Sequence, residues 1–337
     1  NGSSAMEIAI KMALQYWKNI GESNKTQIAT VENGYHGDTF GAMSVGYVPE
    51  FFEKFKKQLF STIQFPVPNK YKIPKGFSFS DYQNNCLDKI EKRFSKQDNI
   101  AAFIMESGAQ MAGGVIIYPK GFQKKIKDLC KKYGVLFVLD EIATGFGRLG
   151  SMTQYQEQKS IPDIVAYGKM LTGGYLTMAA TLANKKIYDS FSGEFNDWKH
   201  LFHGHTYTGN PLAAAVANEN FNMYQKNNLI KKIQSTSKVF TDYYQRLLEI
   251  DIVGDIRHKG MLMGIELVSD KNKKTPIRTK KSINKVFFEE GKKHGIYFRT
   301  LGNIVMLVPP LAITEKELNL LLDRTIKTIQ AVKTQII

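Results

Sequence analysis

Two short apolar runs in the middle of the chain end on charged side chains. Val135 to Asp140 leads into Glu141, and Ile164 to Tyr167 leads through Gly168 to Lys169. β-rich apolar runs of this length read as strands buried on both faces of a parallel sheet. Ligands of open sheets of that kind bind beyond the carboxyl ends of the strands. A carboxylate and an amine delivered to that edge suit pyridoxal phosphate, which takes a Lys as Schiff-base partner and a carboxylate against its pyridinium nitrogen. The pair alone only suggests that chemistry.

Other motifs divide into those that fit such a site and those that imitate something else. Gly2-Ser3-Ser4 precedes an amphipathic helix, whose N-terminus favours an anion such as a phosphate, although simple N-capping by Ser is the commoner meaning of such residues. Asn33-Gly34-Tyr35-His36-Gly37 follows a strand candidate. Tyr35 there suits either stacking on a flat ligand or packing within a turn. Gly145-Phe-Gly147-Arg-Leu-Gly150 spells the dinucleotide fingerprint, but four residues separate it from the strand end and Asp163 comes too early for the acidic partner. A glycine-rich site loop is the better reading, with Arg148 within it. His200, His203 and His205 lack the companion ligands of a zinc site, and Gly168-Lys169-Met170 lacks the glycine spacing and Ser/Thr of a phosphate-binding P-loop. No metal is expected.

The elements that must position these residues alternate. Residues 4–18 read as a helix, and strands are expected at 27–31, 61–65, 100–105, 135–140, 163–167 and 178–183, with helices between several of them, including 121–133. This predicts a mostly parallel sheet covered by helices. A long helix opens at Pro211. Strands are then expected at 256–268, 296–299 and 304–308, and a closing helix at 315–332. The expected organisation is a large domain over 1–225 and a smaller C-terminal α/β domain over 226–337.

At 337 residues, 43% hydrophobic and 23% charged, the composition is that of a globular protein. No run approaches the roughly 18 apolar residues of a membrane helix. The net charge of +15 is spread along the chain, densest at Lys271–Lys281. Without a nucleic-acid-binding motif it reads as a solvated basic surface that favours small anions, so neither nucleic acid nor membrane is an expected partner. Cys86 and Cys130 are isolated, which argues for a reduced, cytoplasmic setting. The chain begins at Asn1 rather than Met, so a preceding segment is expected.

Together, NGYHGDTFGAMSV (33–45), DEIATGFGRLG (140–150), GKMLTGGYLTMAATL (168–182) and HGHTYTGNPLAAA (203–215) resemble, in order and spacing across nearly the whole chain, the class III pyridoxal-phosphate-dependent aminotransferases. Ala143 stands where the ornithine, GABA and acetylornithine members have Gln. That residue and the segment after Lys169 favour the biotin-pathway branch, which aminates 8-amino-7-oxononanoate with S-adenosylmethionine or lysine as donor. The resemblance implies fold type I and a homodimer with shared active sites, acting on small molecules. It implies that Lys169 carries the cofactor and shuttles the proton, that Asp140 keeps the pyridine nitrogen protonated, and that Tyr35 stacks on the ring and touches substrate. Gly2 and Ser3 would hold the phosphate, with Thr206 reaching it from the other subunit. Arg299 would receive the substrate carboxylate, and Gly204 would line the substrate site. The preceding segment would carry aromatic residues that wall the pocket. The chain departs from the family at Ser107, where many members have Pro after the Glu, and at His205, often Pro; no role is carried over to Glu106. The alternatives are a class III enzyme for ornithine, GABA or a diamine and, more distantly, a basic binding protein without catalysis.

Overall fold

The computed structural model describes residues 1–278 and 282–336. The basic run at 271–281 therefore lies partly outside the described residues. The chain divides into two compact units: Asn1–Gly113, Tyr118–Phe146 and Thr153–Met223 form one, and Gly114–Ile117, Gly147–Met152 and Tyr224–Ile337 form the other.

In the first unit the elements run α1 (Gly2–Asn19), β1 (Gln27–Val31), α2 (Phe40–Val45), β2 (Ile63–Phe65), α3 (Phe79–Phe94), β3 (Ile100–Glu106), α4 (Phe122–Lys132), β4 (Leu136–Asp140), β5 (Ile164–Tyr167) and β6 (Ala180–Ala183). The long helix α5 (Pro211–Lys226) closes it. The sheet order is β2-β1-β3-β4-β5-β6. Neighbours are parallel except for β6, which runs antiparallel to β5. β3 and β4 are buried at every residue, as strands covered on both faces must be.

Helix α1 buries Ala5, Met6, Ala9, Ile10, Ala13, Tyr16 and Trp17, a helical stripe whose alanines allow close approach to the sheet. Those residues share a core with Ile28, Ala102, Ile104, Leu136, Val138, Ile164 and Ala166. Thr181 Oγ1 donates to the Ala5 carbonyl at 2.7 Å and Trp17 Nε1 to that of Ala101 at 2.8 Å, which fixes the helix along the sheet. The cap of α1 is Asn1, whose side chain accepts the Ser4 amide; the sequence pointed to Ser. Helices α3 and α4 each bury a free cysteine, Cys86 and Cys130.

The second unit holds an antiparallel sheet. β7 (Val253–Lys259) and β8 (Leu262–Asp270) form a hairpin, and β8 also pairs with β9 (Thr275–Pro276) and β11 (Ile304–Leu307). β10 (Thr300–Leu301) lies beside β11. Helices α6 (Ile283–Lys293) and α7 (Glu315–Ile336) belong to the same unit. Its core includes Phe240, Met263, Phe287, Val305, Leu318 and Leu322. Two expectations are corrected here. The run 256–268 is not one strand, because Gly260 turns the chain with φ +58, a conformation other residues rarely adopt. Residues 296–299 form no strand; pairing begins at Thr300, with Phe298 packed in the core beside Phe287.

Candidate functional site

Parallel register delivers the acids. Glu106, the last residue of β3, is the register partner of Asp140, the last of β4, and Asp140 in turn pairs with Ala166 of β5. Lys169 follows three residues later, on the turn that leaves β5. Asp140 is only 4% exposed. Its Oδ1 accepts the Ile142 amide at 2.9 Å, and its Oδ2 lies 2.8 Å from His36 Nδ1. An imidazole nitrogen against a carboxylate carries its proton there, so His36 donates and holds the carboxylate in one orientation. His36 is buried and its Nε2 has no partner among the described residues.

Ile142 joins three parts of the site. A Cβ on Gly2 would lie 2.9 Å from Ile142 Cγ2, and one on Gly168 would lie 3.2 Å from the same atom. The N-terminus of α1, the Lys169 turn and the end of β4 therefore meet, and glycine is what lets them. Gly37 closes the cradle: it has φ +121, and a Cβ there would overlap Ser3. Ser3 Oγ donates to the Asn1 side chain at 2.7 Å. Lys169 itself is exposed and adopts φ +44, left-handed for a non-glycine residue. Asn220 of α5 donates from Nδ2 to the Met170 carbonyl at 2.7 Å and to the Leu171 carbonyl at 3.2 Å, which holds that turn in place.

Tyr35 is half-buried. Its amide donates to Glu106 Oε1 at 3.2 Å, its hydroxyl to Asp38 at 2.9 Å, and its ring stacks on Phe52 with centroids 6.0 Å apart. Gly2, Ser3, Tyr35, Asp140 and Lys169 thus gather at one sheet edge. Gly204 and Thr206 are exposed, on the segment between Lys199 and Pro211. Gln15 and Asn19 of α1 bind the Lys199 carbonyl and Lys11 that of Phe202, so the start of this segment runs beside the C-terminal half of α1. Arg299 is exposed and immediately precedes β10 in the second unit. Arg148, expected at the site, is buried and donates to the backbone carbonyls of Met261 and Pro309 at 2.8 and 2.7 Å. Burial pulls its guanidinium down to about 10. Among the described residues no group of three His, Cys, Asp or Glu could hold a metal ion, and no helix is long and apolar enough to cross a membrane.

Burial shapes the titration of the other acids. It pushes Glu106 up to about 7, against the pull of His36 and the amides of Met111 and Tyr35. Glu141 is also pushed up to about 7, although it accepts the amides of Gln154 and Tyr155 at 3.0 and 2.7 Å. The Tyr118 phenol, buried beside Glu106 and Asp140, is raised well above its ordinary value. His36 and Asn220 were missed in the sequence; for His36 the only signal was its position between Tyr35 and Gly37.

Residues 1–329 match the family description Aminotransferase class-III. Among curated proteins, the chain is 39% identical over 334 residues to the adenosylmethionine-8-amino-7-oxononanoate aminotransferase of Geobacter sulfurreducens, covering 98% of this chain and 74% of that one. It is 41% identical to the protein of the same name in Staphylococcus aureus, covering 94% and 70%. Among solved structures, that of the same-named protein of Methanocaldococcus jannaschii aligns with a TM-score of 0.91 at 40% identity, over 98% of this chain and 74% of the other. The omega transaminase of Pseudomonas jessenii in complex with PMP aligns with a TM-score of 0.94 at 28% identity, over 100% and 75%.

Proposed function

Because the chain belongs to the class III aminotransferase family, we propose that it transfers an amino group to 8-amino-7-oxononanoate, giving 7,8-diaminononanoate for biotin synthesis. The family and its fold, type I, are pyridoxal-phosphate-dependent. The chain's residues fit that cofactor: a glycine cradle at a helix N-terminus for a phosphate, a buried and oriented carboxylate, and an accessible amine at one sheet edge. That convergence is the observation that carries the reading. The name shared by the relatives supports the acceptor and, with it, S-adenosylmethionine as donor; lysine is the other donor to be tried.

When bound, pyridoxal phosphate supplies an electron sink that stabilises negative charge at the substrate carbon. The chain's part is to orient and to move protons. Lys169 would anchor the cofactor and then carry the proton from and to the substrate carbon through its Nζ. Asp140, held by His36 and the Ile142 amide, would keep the ring nitrogen protonated. The first amides of α1, at Gly2 and Ser3, would receive the phosphate. Tyr35 would cover a ring face and border the substrate with Gly204, and Arg299 is the proposed receiver of the substrate carboxylate.

A homodimer is part of this proposal. Tyr175, Tyr188, Phe195, Trp198, Phe202 and Tyr207 are 65–85% exposed within one stretch of chain, a concentration of large apolar rings suited to a protein partner. Thr206 lies inside that stretch and would reach the phosphate of the second copy. A cytoplasmic setting accords with two buried free thiols. A second reading, an amine acceptor of the omega-transaminase kind, is supported by the Pseudomonas jessenii structure.

The test loads the full-length protein with pyridoxamine phosphate, adds 8-amino-7-oxononanoate, and follows the diamine by mass spectrometry. Stoichiometric diamine is expected. Conversion of other oxo compounds without it would move the assignment to the second reading.

A further inference from the structure

Glu106 has no part in the scheme above, yet it is the buried acid that stands beside Asp140 in register. It is 3% exposed. Its Oε1 accepts the Tyr35 amide at 3.2 Å and its Oε2 the Met111 amide at 3.0 Å. One carboxyl therefore ties the loop that bears Tyr35 and His36 to the end of β3 while sitting next to the carboxylate that His36 orients. We propose that Glu106 is a positioning residue for amino-group transfer, acting through the Tyr35–His36 backbone and through the charge it places beside Asp140. The inference rests on the reading of Asp140 as partner of the ring nitrogen.

Three titratable groups face Glu106: His36 from the loop after β1, Asp140 from β4, and Tyr118, whose buried hydroxyl has no partner among the described residues. His36 favours the ionised form of Glu106 and Asp140 opposes it. Ionised, both oxygens are acceptors and hold both amides. Protonated, one oxygen becomes a donor, one grip weakens, and the negative charge beside Asp140 disappears. Burial places this exchange at about 7, so both effects fall in the range where enzymes work. The hold on the Tyr35 loop and the negative charge that Glu106 places beside Asp140 then change together.

The experiment compares wild-type holoenzyme with Glu106→Gln, Glu106→Asp and Asp140→Asn between pH 5.5 and 8.5. It follows the visible absorbance of the bound cofactor and the rate of a single half-reaction, with thermal unfolding of each apoprotein as a control. Wild type is expected to show an inflection near neutrality in both signals. Glu106→Gln should lose it and slow the half-reaction by up to about a hundredfold, the scale of a misplaced reacting group, with an unfolding midpoint within about 3 °C of wild type. Glu106→Asp should keep an inflection at a displaced pH, and it decides the matter if the Gln variant does not fold. Profiles of both Glu106 variants that superimpose on wild type, with Asp140→Asn impaired, would overturn the role of Glu106 alone. An Asp140→Asn protein that binds cofactor and reacts as wild type would overturn the Asp140 reading itself, and this inference with it.

Discussion

Lys169 and Asp140 reach one sheet edge because Asp140 ends a buried apolar strand and Lys169 follows another, a placement that the apolar runs before them already predict. No such run points to His36, because its partner Asp140 is 104 positions away and only parallel register brings them together. Asn220, on helix α5 and 50 residues from the carbonyl it binds, is brought there by helix packing that no local pattern announces. Lys169→Ala is expected to lower turnover by about a thousandfold or more and to abolish the visible band of the lysine-linked cofactor, since anchor and proton carrier go together. Normal multiple turnover in that variant would end the assignment. Glu141 predicts a pH effect on stability. Its folded value, about 7, lies above the unfolded 4.5, so its contribution is complete below the unfolded value and is lost as pH rises through the folded one. The shift corresponds to roughly 3 kcal/mol at the limit. Thermal midpoints of the apoprotein should fall between pH 5 and 8, and Glu141→Gln should flatten that slope. A slope unaltered in the variant would show that other groups carry it.

Among elements, strands β1–β6 and the helices at 2–19, 211–226 and 315–336 follow from periodicity and from Pro211. The corrections fall where local pattern is silent. A hairpin of two β-rich arms reads as one long strand when its turn is only the two residues Gly260 and Met261, and residues 296–299 alternate like a strand while Phe298 serves a helix-packed core. The glycines of the cradle belong to this scale, because each marks where one element approaches another. Gly37→Ala should destabilise the apoprotein by about 1–3 kcal/mol, from φ +121 and the overlap with Ser3, and should also loosen cofactor retention on dialysis. An apoprotein as stable as wild type would mean that α1 and the Tyr35 loop separate freely.

At the scale of the whole molecule, the exposed rings between Tyr175 and Tyr207 are what the proposed homodimer would cover. Periodicity could not announce them, since their burial would depend on a second chain. On that proposal the wild-type protein is a dimer by light scattering and Trp198→Lys with Tyr207→Lys shifts it toward monomer, with activity falling alongside if Thr206 serves the second copy's site. A monomeric wild type would overturn the proposal. A dimeric, fully active double variant would place the interface elsewhere. The two cysteines have a practical consequence. Cys86 and Cys130 are completely enclosed, and burial pushes the first up to about 11 and the second higher still, so neither offers a thiolate at neutral pH. The folded protein should consume no maleimide or aromatic disulfide reagent within minutes. Within residues 1–337, a single cysteine introduced on the surface would then be the point of attachment for a fluorophore or spin label, with Cys86 and Cys130 left in place.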